Sequence, residues 1–322
     1  MDSKYDVAIA ACSDYSAELV RAALLEVTDA IGGLDWVHPG MKIAIKANLV
    51  MMKKPSSCAT THPVMLAELV RLLAERGASV VIGDSPGGPY AAAYLKGVYS
   101  VTGMHLPEAA GAALNHNFGQ SSADFPEARI AKHFEYTSYL ADADAIINFS
   151  KLKTHGMMGM SAATKNMFGA IPGTLKPEYH FKYPNHVDFA HMLVDLNLYF
   201  KPVLSIVDAV DGMEGNGPTA GTPRHIGAVI ASKSPYLLDL VCADIISLSI
   251  EDVPTLQATL ERGLIPDSVA QVNLYGKIEQ YRVADYKNIK QHNSIDFKNQ
   301  LQGSIGAFWG YICRTALRAK PL

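Results

Sequence analysis

Four lysines, two histidines and two asparagines are gathered in one stretch of the chain, with no carboxylate between Lys151 and Lys176. Asn148-Phe149-Ser150-Lys151-Leu152-Lys153-Thr154-His155 is followed by Lys165-Asn166-Met167-Phe168-Gly169, and then by Lys176 and His180. Cationic and amide donors without nearby counter-charges mark an anion site. A single lysine near a strand end is ordinary solvated surface, but a group interleaved with Gly and Met rather than Asp and Glu is not. A lysine placed among other cations has a lowered pKa and can act as base or nucleophile, which singles out Lys153 and Lys165. His155 titrates near neutral pH and lies inside the cationic run, so it is the expected general acid or base.

These groups need elements that aim them at one place. The apolar run at 145–149 reads as a strand, and it delivers the cluster to the carboxyl end of a sheet, where open α/β folds bind ligands. A second strand at 42–47 carries Lys46 near its carboxyl end and is followed by Asn48. If the two are parallel neighbours, their carboxyl ends converge on one crevice. Asp84 follows a strand at 79–83 and Asp208 follows one at 203–207, which would put two carboxylates on the rim; either alone is as readily a turn or cap residue. The span at 208–218 collects Asp208, Asp211 and Glu214 with three glycines. It suits close approach of backbone to a ligand, and it is compatible with a divalent cation bridging to an anion. It does not match a phosphate-binding P-loop, and the glycines at 83–88 do not open the helix that a dinucleotide fingerprint requires, so neither ATP nor NAD is expected. His62, His155 and His180 have no closely spaced ligand partners, and the metal question stays open.

The remaining sequence alternates strand and helix. A strand at 7–11 leads to a helix at 17–31 closed by Gly32-Gly33. A capping Thr61 and Pro63 at the first helical position open a helix that runs to 76. Further on, the pattern predicts helices at 188–199, 237–248 and 255–262, a Gly/Pro loop at 212–223, and strands at 226–231 and 281–288. The fold class implied is α/β, a mostly parallel sheet flanked by helices in a Rossmann-like layered architecture. Residues 1–300 read as a single domain, divisible into lobes at 1–140 and 141–300, with 301–322 as a C-terminal segment. The apolar group at 308–312 in that segment is either core or a docking face. With 322 residues, 49% of them hydrophobic, and a formal charge of -3, the chain fills a sizeable core and calls for neither nucleic acid nor an anionic membrane. Cys12, Cys58, Cys242 and Cys313 are scattered without a C-x-x-C pair, and no segment has the length of a bilayer span, so a cytoplasmic protein without a disulfide framework is expected.

Taken in order, Lys46-Ala47-Asn48-Leu49, Thr60-Thr61-His62-Pro63, Gly83-Asp84-Ser85-Pro86, Lys151-Leu152-Lys153-Thr154-His155, Lys165-Asn166-Met167-Phe168-Gly169 and the span from Asp208 through Glu214 to Pro218 resemble the family called domain of unknown function 362. The resemblance covers about residues 7 to 244. Members of that family are often joined to a ferredoxin-like module carrying two four-iron clusters, so it implies electron transfer from a 4Fe–4S partner. This chain has no cysteine-rich module of its own, and its basic end at 314–322 is similar to the connector that precedes the module in related proteins. The resemblance thus leaves three alternatives: a module outside this sequence, a separate ferredoxin, or no electron transfer at all. A more distant similarity of architecture is to nickel-pincer lactate racemases.

The expected function is an enzyme acting on a small anionic metabolite, carboxylated or phosphorylated, and, as the resemblance implies, a ferredoxin-linked oxidoreductase coupled to an iron–sulfur electron-transfer partner. Lys46, Lys151, Lys153 and Lys165 would bind the anion, Asn48 and Asn166 would orient it, and His155 would move protons. Lys176, His180, Asp84, Asp208 and Glu214 complete the expected ligand-binding set. A redox-independent isomerase or racemase and a non-catalytic anion-binding regulatory module are the alternatives, and the oligomeric state is left open.

Overall fold

The computed structural model describes residues 4–289. Its strands are β1 (Val7–Ala11), β2 (Lys42–Lys46), β3 (Ser79–Gly83), β4 (Ala113–Leu114), β5 (Gln120–Asp124), β6 (His133–Thr137), β7 (Ala145–His155), β8 (Gly159–Ser161), β9 (Leu204–Glu214), β10 (Thr222–Ser232) and β11 (Leu274–Tyr275). Its helices are α1 (Ala17–Ala30), α2 (Pro63–Ala74), α3 (Ala92–Thr102), α4 (His105–Ala109), α5 (Ala163–Asn166), α6 (Lys176–Lys182), α7 (His186–Phe200), α8 (Pro235–Ile245) and α9 (Pro254–Glu261).

One sheet runs β11-β1-β10-β9-β7-β2-β3-β4, with β8 folded back on β7, and β5 and β6 form a separate hairpin. Within the eight-strand order every pair is parallel except the two made by β10, which is reversed against β1 and β9. The sheet is thus mostly parallel and α/β in class. Strands from both halves of the sequence interleave in it: β2 lies beside β7, and β1 lies between β10 and β11.

Alternation along each strand sends side chains to two helical layers. Ile43 and Ile45 of β2 pack with Leu24, Leu66, Leu69 and Val98 from α1, α2 and α3. Ala44, Ile146 and Leu152 pack with Phe189, Leu193, Leu238 and Val241 from α7 and α8. Burial on both faces explains why these strands read as continuous apolar runs rather than alternating ones.

Three elements differ from the sequence reading. The strand expected at 145–149 continues through His155, so the lysine motif is itself a strand rather than a loop after one. Likewise β9 runs through Asp208 to Glu214, and the expected Gly/Pro loop shrinks to the residues before Thr222. Their strand ladders with neighbours outweigh the polar composition. At 281–288 there is no strand; the chain returns to the sheet earlier, as β11 beside β1. At the start of α2 the cap is His62, whose Nδ1 accepts from Val64 N, while Thr61 Oγ1 instead donates to Phe149 O and accepts from Asn48 N. The segments 301–322 and 308–312 lie outside the described residues.

Candidate anion site at the carboxyl edge of the sheet

Because β2, β3 and β7 are parallel and adjacent, their carboxyl ends open on the same side. A cavity of about 160 Å³ lies there. Lys46 and Asn48 reach it from the end of β2, Asp84 and Ser85 from the end of β3, and Lys153 and His155 from β7. Lys165, Asn166, Phe168 and Gly169 enter from α5 and the 3-10 turn after it, and Lys176 and His180 from α6. The volume is well below the 300 Å³ or more typical of drug-sized ligand pockets, so the fitting ligand is small.

An amide relay fixes the floor. Asn166 Nδ2 donates to Asn148 Oδ1 at 2.8 Å and to Lys46 O at 3.1 Å. Asn166 Oδ1 accepts from Asn48 Nδ2 at 2.9 Å and from Lys46 Nζ at 3.2 Å. Asn48 Oδ1 in turn accepts from Lys153 Nζ at 2.8 Å. Such a fully satisfied buried network holds one geometry. The short helix α5 that supplies Lys165 and Asn166 is itself held by Asp239 of α8, whose carboxylate accepts from Ala163 N at 2.7 Å and Thr164 N at 2.9 Å.

The lysines of this edge fall into two kinds. Lys46 is fully buried and ion-paired with Asp84 at 2.7 Å, while the other Asp84 oxygen accepts from Leu49 N at 2.7 Å. Gly169 packs directly on this pair: a Cβ there would lie 2.0 Å from Asp84 Oδ1. Lys153, Lys165 and Lys176 have no carboxylate partner among the described residues. Lys153 Nζ donates to Asn48 Oδ1 and Ala59 O, and Lys176 Nζ donates to Ser85 O. Lys165 Nζ makes neither a hydrogen bond nor an ion pair among the described residues; it stands 6.0 Å from the centre of the Phe168 ring, with Lys176 Nζ 5.3 Å from the same ring.

Burial, with the nearby charge of Lys46, brings the Lys165 ammonium down to about 8. Burial brings Lys176 down to about 7, with Lys46 and Lys165 adding to the effect and Asp84 opposing it. Lys153 is pushed well below its usual range by burial and by Lys165, Lys151 and Lys46. Burial also lowers His155 far below 6.5, with Lys165 and Lys153 contributing, and lowers His180 to about 3. Both imidazoles are therefore neutral. His155 Nδ1 accepts from Met157 N at 3.1 Å and Met158 N at 3.2 Å, which puts the ring proton on Nε2. In that tautomer His155 is a hydrogen-bond donor to a ligand; neither ring nitrogen is free to take a proton. His180 stacks on Phe189 with centroids 4.7 Å apart, and its Nδ1 is buried without a hydrogen-bond partner among the described residues.

Of the residues singled out from the sequence, the structure gathers Lys46, Asn48, Asp84, Lys153, His155, Lys165, Asn166, Lys176 and His180 around this cavity. It does not bring Lys151, Asp208 or Glu214 there. Lys151 pairs with Asp208 at 2.9 Å, both fully buried, and donates to Tyr15 Oη at 2.7 Å. Tyr15 donates to the other Asp208 oxygen at 3.0 Å and stacks on His62 at 3.6 Å. Glu214 faces Lys287, accepting from its backbone N–H at 3.1 Å. A ladder shift separates the two lysines of β7: Lys151 registers with Asp208 but Lys153 with Met213. Residues that sequence reasoning passed over include Ser85, whose hydroxyl accepts from Gly173 N and whose carbonyl holds Lys176, and Phe168, the ring shared by two ammonium groups. Their only sequence signal was membership of the two motifs around Asp84 and Asn166.

Among the described residues no group of three or more His, Cys, Asp or Glu side chains is arranged to hold a metal ion. Cys12, Cys58 and Cys242 are buried free thiols. Among the described residues no helix is long and apolar enough to cross a membrane.

A thylakoid-associated protein of Synechocystis sp. is 32% identical over 268 residues, covering 81% of this chain and 80% of the relative. Among solved structures, the lactate racemase apoprotein from Thermoanaerobacterium thermosaccharolyticum aligns with a TM-score of 0.47 and 12% identity, over 77% of this chain and 58% of that one. A Thermotoga maritima protein from a structural genomics consortium aligns with a TM-score of 0.40 and 12% identity, over 70% of this chain and 58% of that one. The chain thus spans less than two thirds of the length of either solved structure. The sequence profile described as Domain of unknown function (DUF362) matches residues 43–244, which contain every lysine and histidine of the cavity, and the chain belongs to that family.

Proposed function

We propose that this protein is an enzyme that binds a small carboxylated or phosphorylated metabolite in the cavity and transfers a proton on it, with Lys165 as the exchanging base. The observation that carries this reading is the Lys165 amine: it lines the cavity, has no hydrogen-bond or ion-pair partner among the described residues, and has an ammonium pKa brought down to about 8. At neutral pH a fraction of roughly a tenth is the free base, and a base poised near the working pH is the efficient one.

The chemistry follows from the neighbours. Lys165 Nζ takes a proton from a carbon beside the ligand's carboxylate, and the electron pair left behind spreads onto the carboxylate oxygens. The bound anion's own charge favours the protonated forms of Lys153 and Lys176, and these ammonium groups with the Nε2–H of His155 stabilise the added charge; loss of one such donor lowers rate by ~10²-fold or more. Return of the proton regenerates the amine and gives an isomer or the starting compound, so atoms and electrons balance without a co-reactant.

Incubation with a panel of small hydroxy acids, dicarboxylates and phosphorylated acids in deuterium oxide tests this by mass spectrometry. Carbon-bound deuterium in one compound without reductant, lost in Lys165→Met, supports the reading. Turnover that appears only with a reduced ferredoxin refutes it in favour of a redox enzyme coupled to an iron–sulfur partner. Tight binding with no exchange and no turnover refutes it in favour of an anion-sensing module.

A further inference from the structure

Among the described residues, every lysine that is at least nine-tenths buried has its Nζ held, and the manner of holding divides them. Lys46 and Lys151 are held by carboxylates, Asp84 and Asp208. Lys153 and Lys176 are held only by neutral oxygens: an asparagine amide and Ala59 O for the first, Ser85 O for the second. Both of these line the cavity, whereas Lys151, one of the paired lysines, does not. An ion-paired lysine at this depth has its charge cancelled inside the protein. A lysine that donates only to neutral oxygens is oriented, but a positive charge on it is uncompensated, which is unfavourable in a buried place unless an anion supplies the balance.

From this arrangement we infer that the cavity selects a compact dianion, a phosphorylated or dicarboxylate compound, over monoanions, with Lys153 and Lys176 each matching one of its two charges. The inference rests on the anion-binding reading above and narrows it. The Lys46–Asp84 pair is neutral as a unit and adds no net charge. Lys165, lacking any acceptor, is left as the amine that gains a proton as a third negative charge develops on the ligand. Phe168 keeps two of these amines together without neutralising them, since its ring face attracts cations while contributing no formal charge. The cavity of about 160 Å³ has room for a compact dianion but not for a nucleotide. A backbone clamp sets one wall: Gly173 N donates to Ser85 Oγ, and a Cβ on Gly173 would lie 2.1 Å from Gly88 O, so the Ser85 carbonyl that holds Lys176 is tied to the start of α6.

Because burial lowers the pKa of both lysines, dianion binding draws protons onto them. Isothermal titration of the full chain at pH 8 and constant ionic strength, with sulfate, oxalate, acetate and nitrate as probes, reads this directly. Sulfate and oxalate are expected to bind at least tenfold more tightly than acetate and nitrate, with uptake of at least one proton measured from the heat in buffers of different ionisation enthalpy. Lys153→Met and Lys176→Met should each weaken sulfate at least tenfold, and Lys182→Met, an exposed lysine of α6, should leave it unchanged. Acetate binding as tight as sulfate overturns the dianion inference and leaves the anion site standing. Absence of binding by all four probes overturns both. Equal weakening by Lys182→Met would show a diffuse charge effect and overturn the inference as well.

Discussion

Replacing Gly169 by alanine tests the packing that holds the candidate site together. The new methyl would lie 2.0 Å from Asp84 Oδ1 and 2.4 Å from both Cε and Nζ of Lys46, where carbon contacts normally begin at about 3.5 Å. Neither partner can retreat to water: Lys46 is 0% and Asp84 4% exposed. Two responses are open. Parting the pair leaves a buried charge uncompensated, at about 3–5 kcal/mol. Shifting the 3-10 turn that carries Gly169 strains a packed core, at about 1–3 kcal/mol, and breaks the bond from Ser85 N to Gly169 O. The expected loss is therefore about 3 kcal/mol, read as a lower urea midpoint at unchanged slope. Lys46 is already lowered by burial and partly restored by Asp84, so separating them lowers it further. The loss must then be larger at pH 6 than at pH 9.5, where Lys46 sheds its proton at less cost. Gly87→Ala serves as the control, because its Cβ would meet nothing nearer than Val50 O at 3.7 Å, and it should stay within about 0.5 kcal/mol. A Gly169→Ala loss below about 1 kcal/mol, or one independent of pH, would refute the reasoning.

The two kinds of buried lysine should respond oppositely to removal of charge. Lys151→Met strands Asp208 with only Tyr15 and two backbone donors and should cost about 3 kcal/mol in urea denaturation, whereas Lys165→Met removes an unbalanced amine and should be neutral or stabilising at pH 7. Stability should also rise with pH. Unfolded lysines hold their protons to about 10.5, while folded Lys165 and Lys176 release theirs near 8 and 7, so the unfolded state binds more protons between pH 7 and 10.5. Raising pH through that window should stabilise the fold by about 2 kcal/mol per unit near pH 8.5, and a falling midpoint there would contradict the assignment.

The alternating strand and helix signals were legible because they depend on local periodicity, and the parallel sheet follows from apolar strands covered on both faces. The identity of most cavity residues was legible for a related reason: side chains that follow strands of a parallel sheet leave it at one edge, so Lys46, Asn48 and Asp84 were placed by strand ends alone. Local pattern could not show that β7 runs on through its lysines, since its strand character there comes from the short hairpin with β8 and from the ladder with β9, which lies some fifty residues along the chain. Nor could it separate Lys151 from Lys153. Two residues apart on a strand, they share a face, and composition treats them alike. What parts them is the register with β9, where Asp208 meets Lys151 and the chain advances to Met213 before meeting Lys153. One lysine is thereby given a carboxylate and taken out of play, while the other is left with only neutral oxygens. The residue types and their edge of the sheet are thus properties of the sequence; which charges are cancelled and which remain for a ligand is decided by pairings between distant segments, where one buried carboxylate within 3 Å changes the outcome by several kcal/mol.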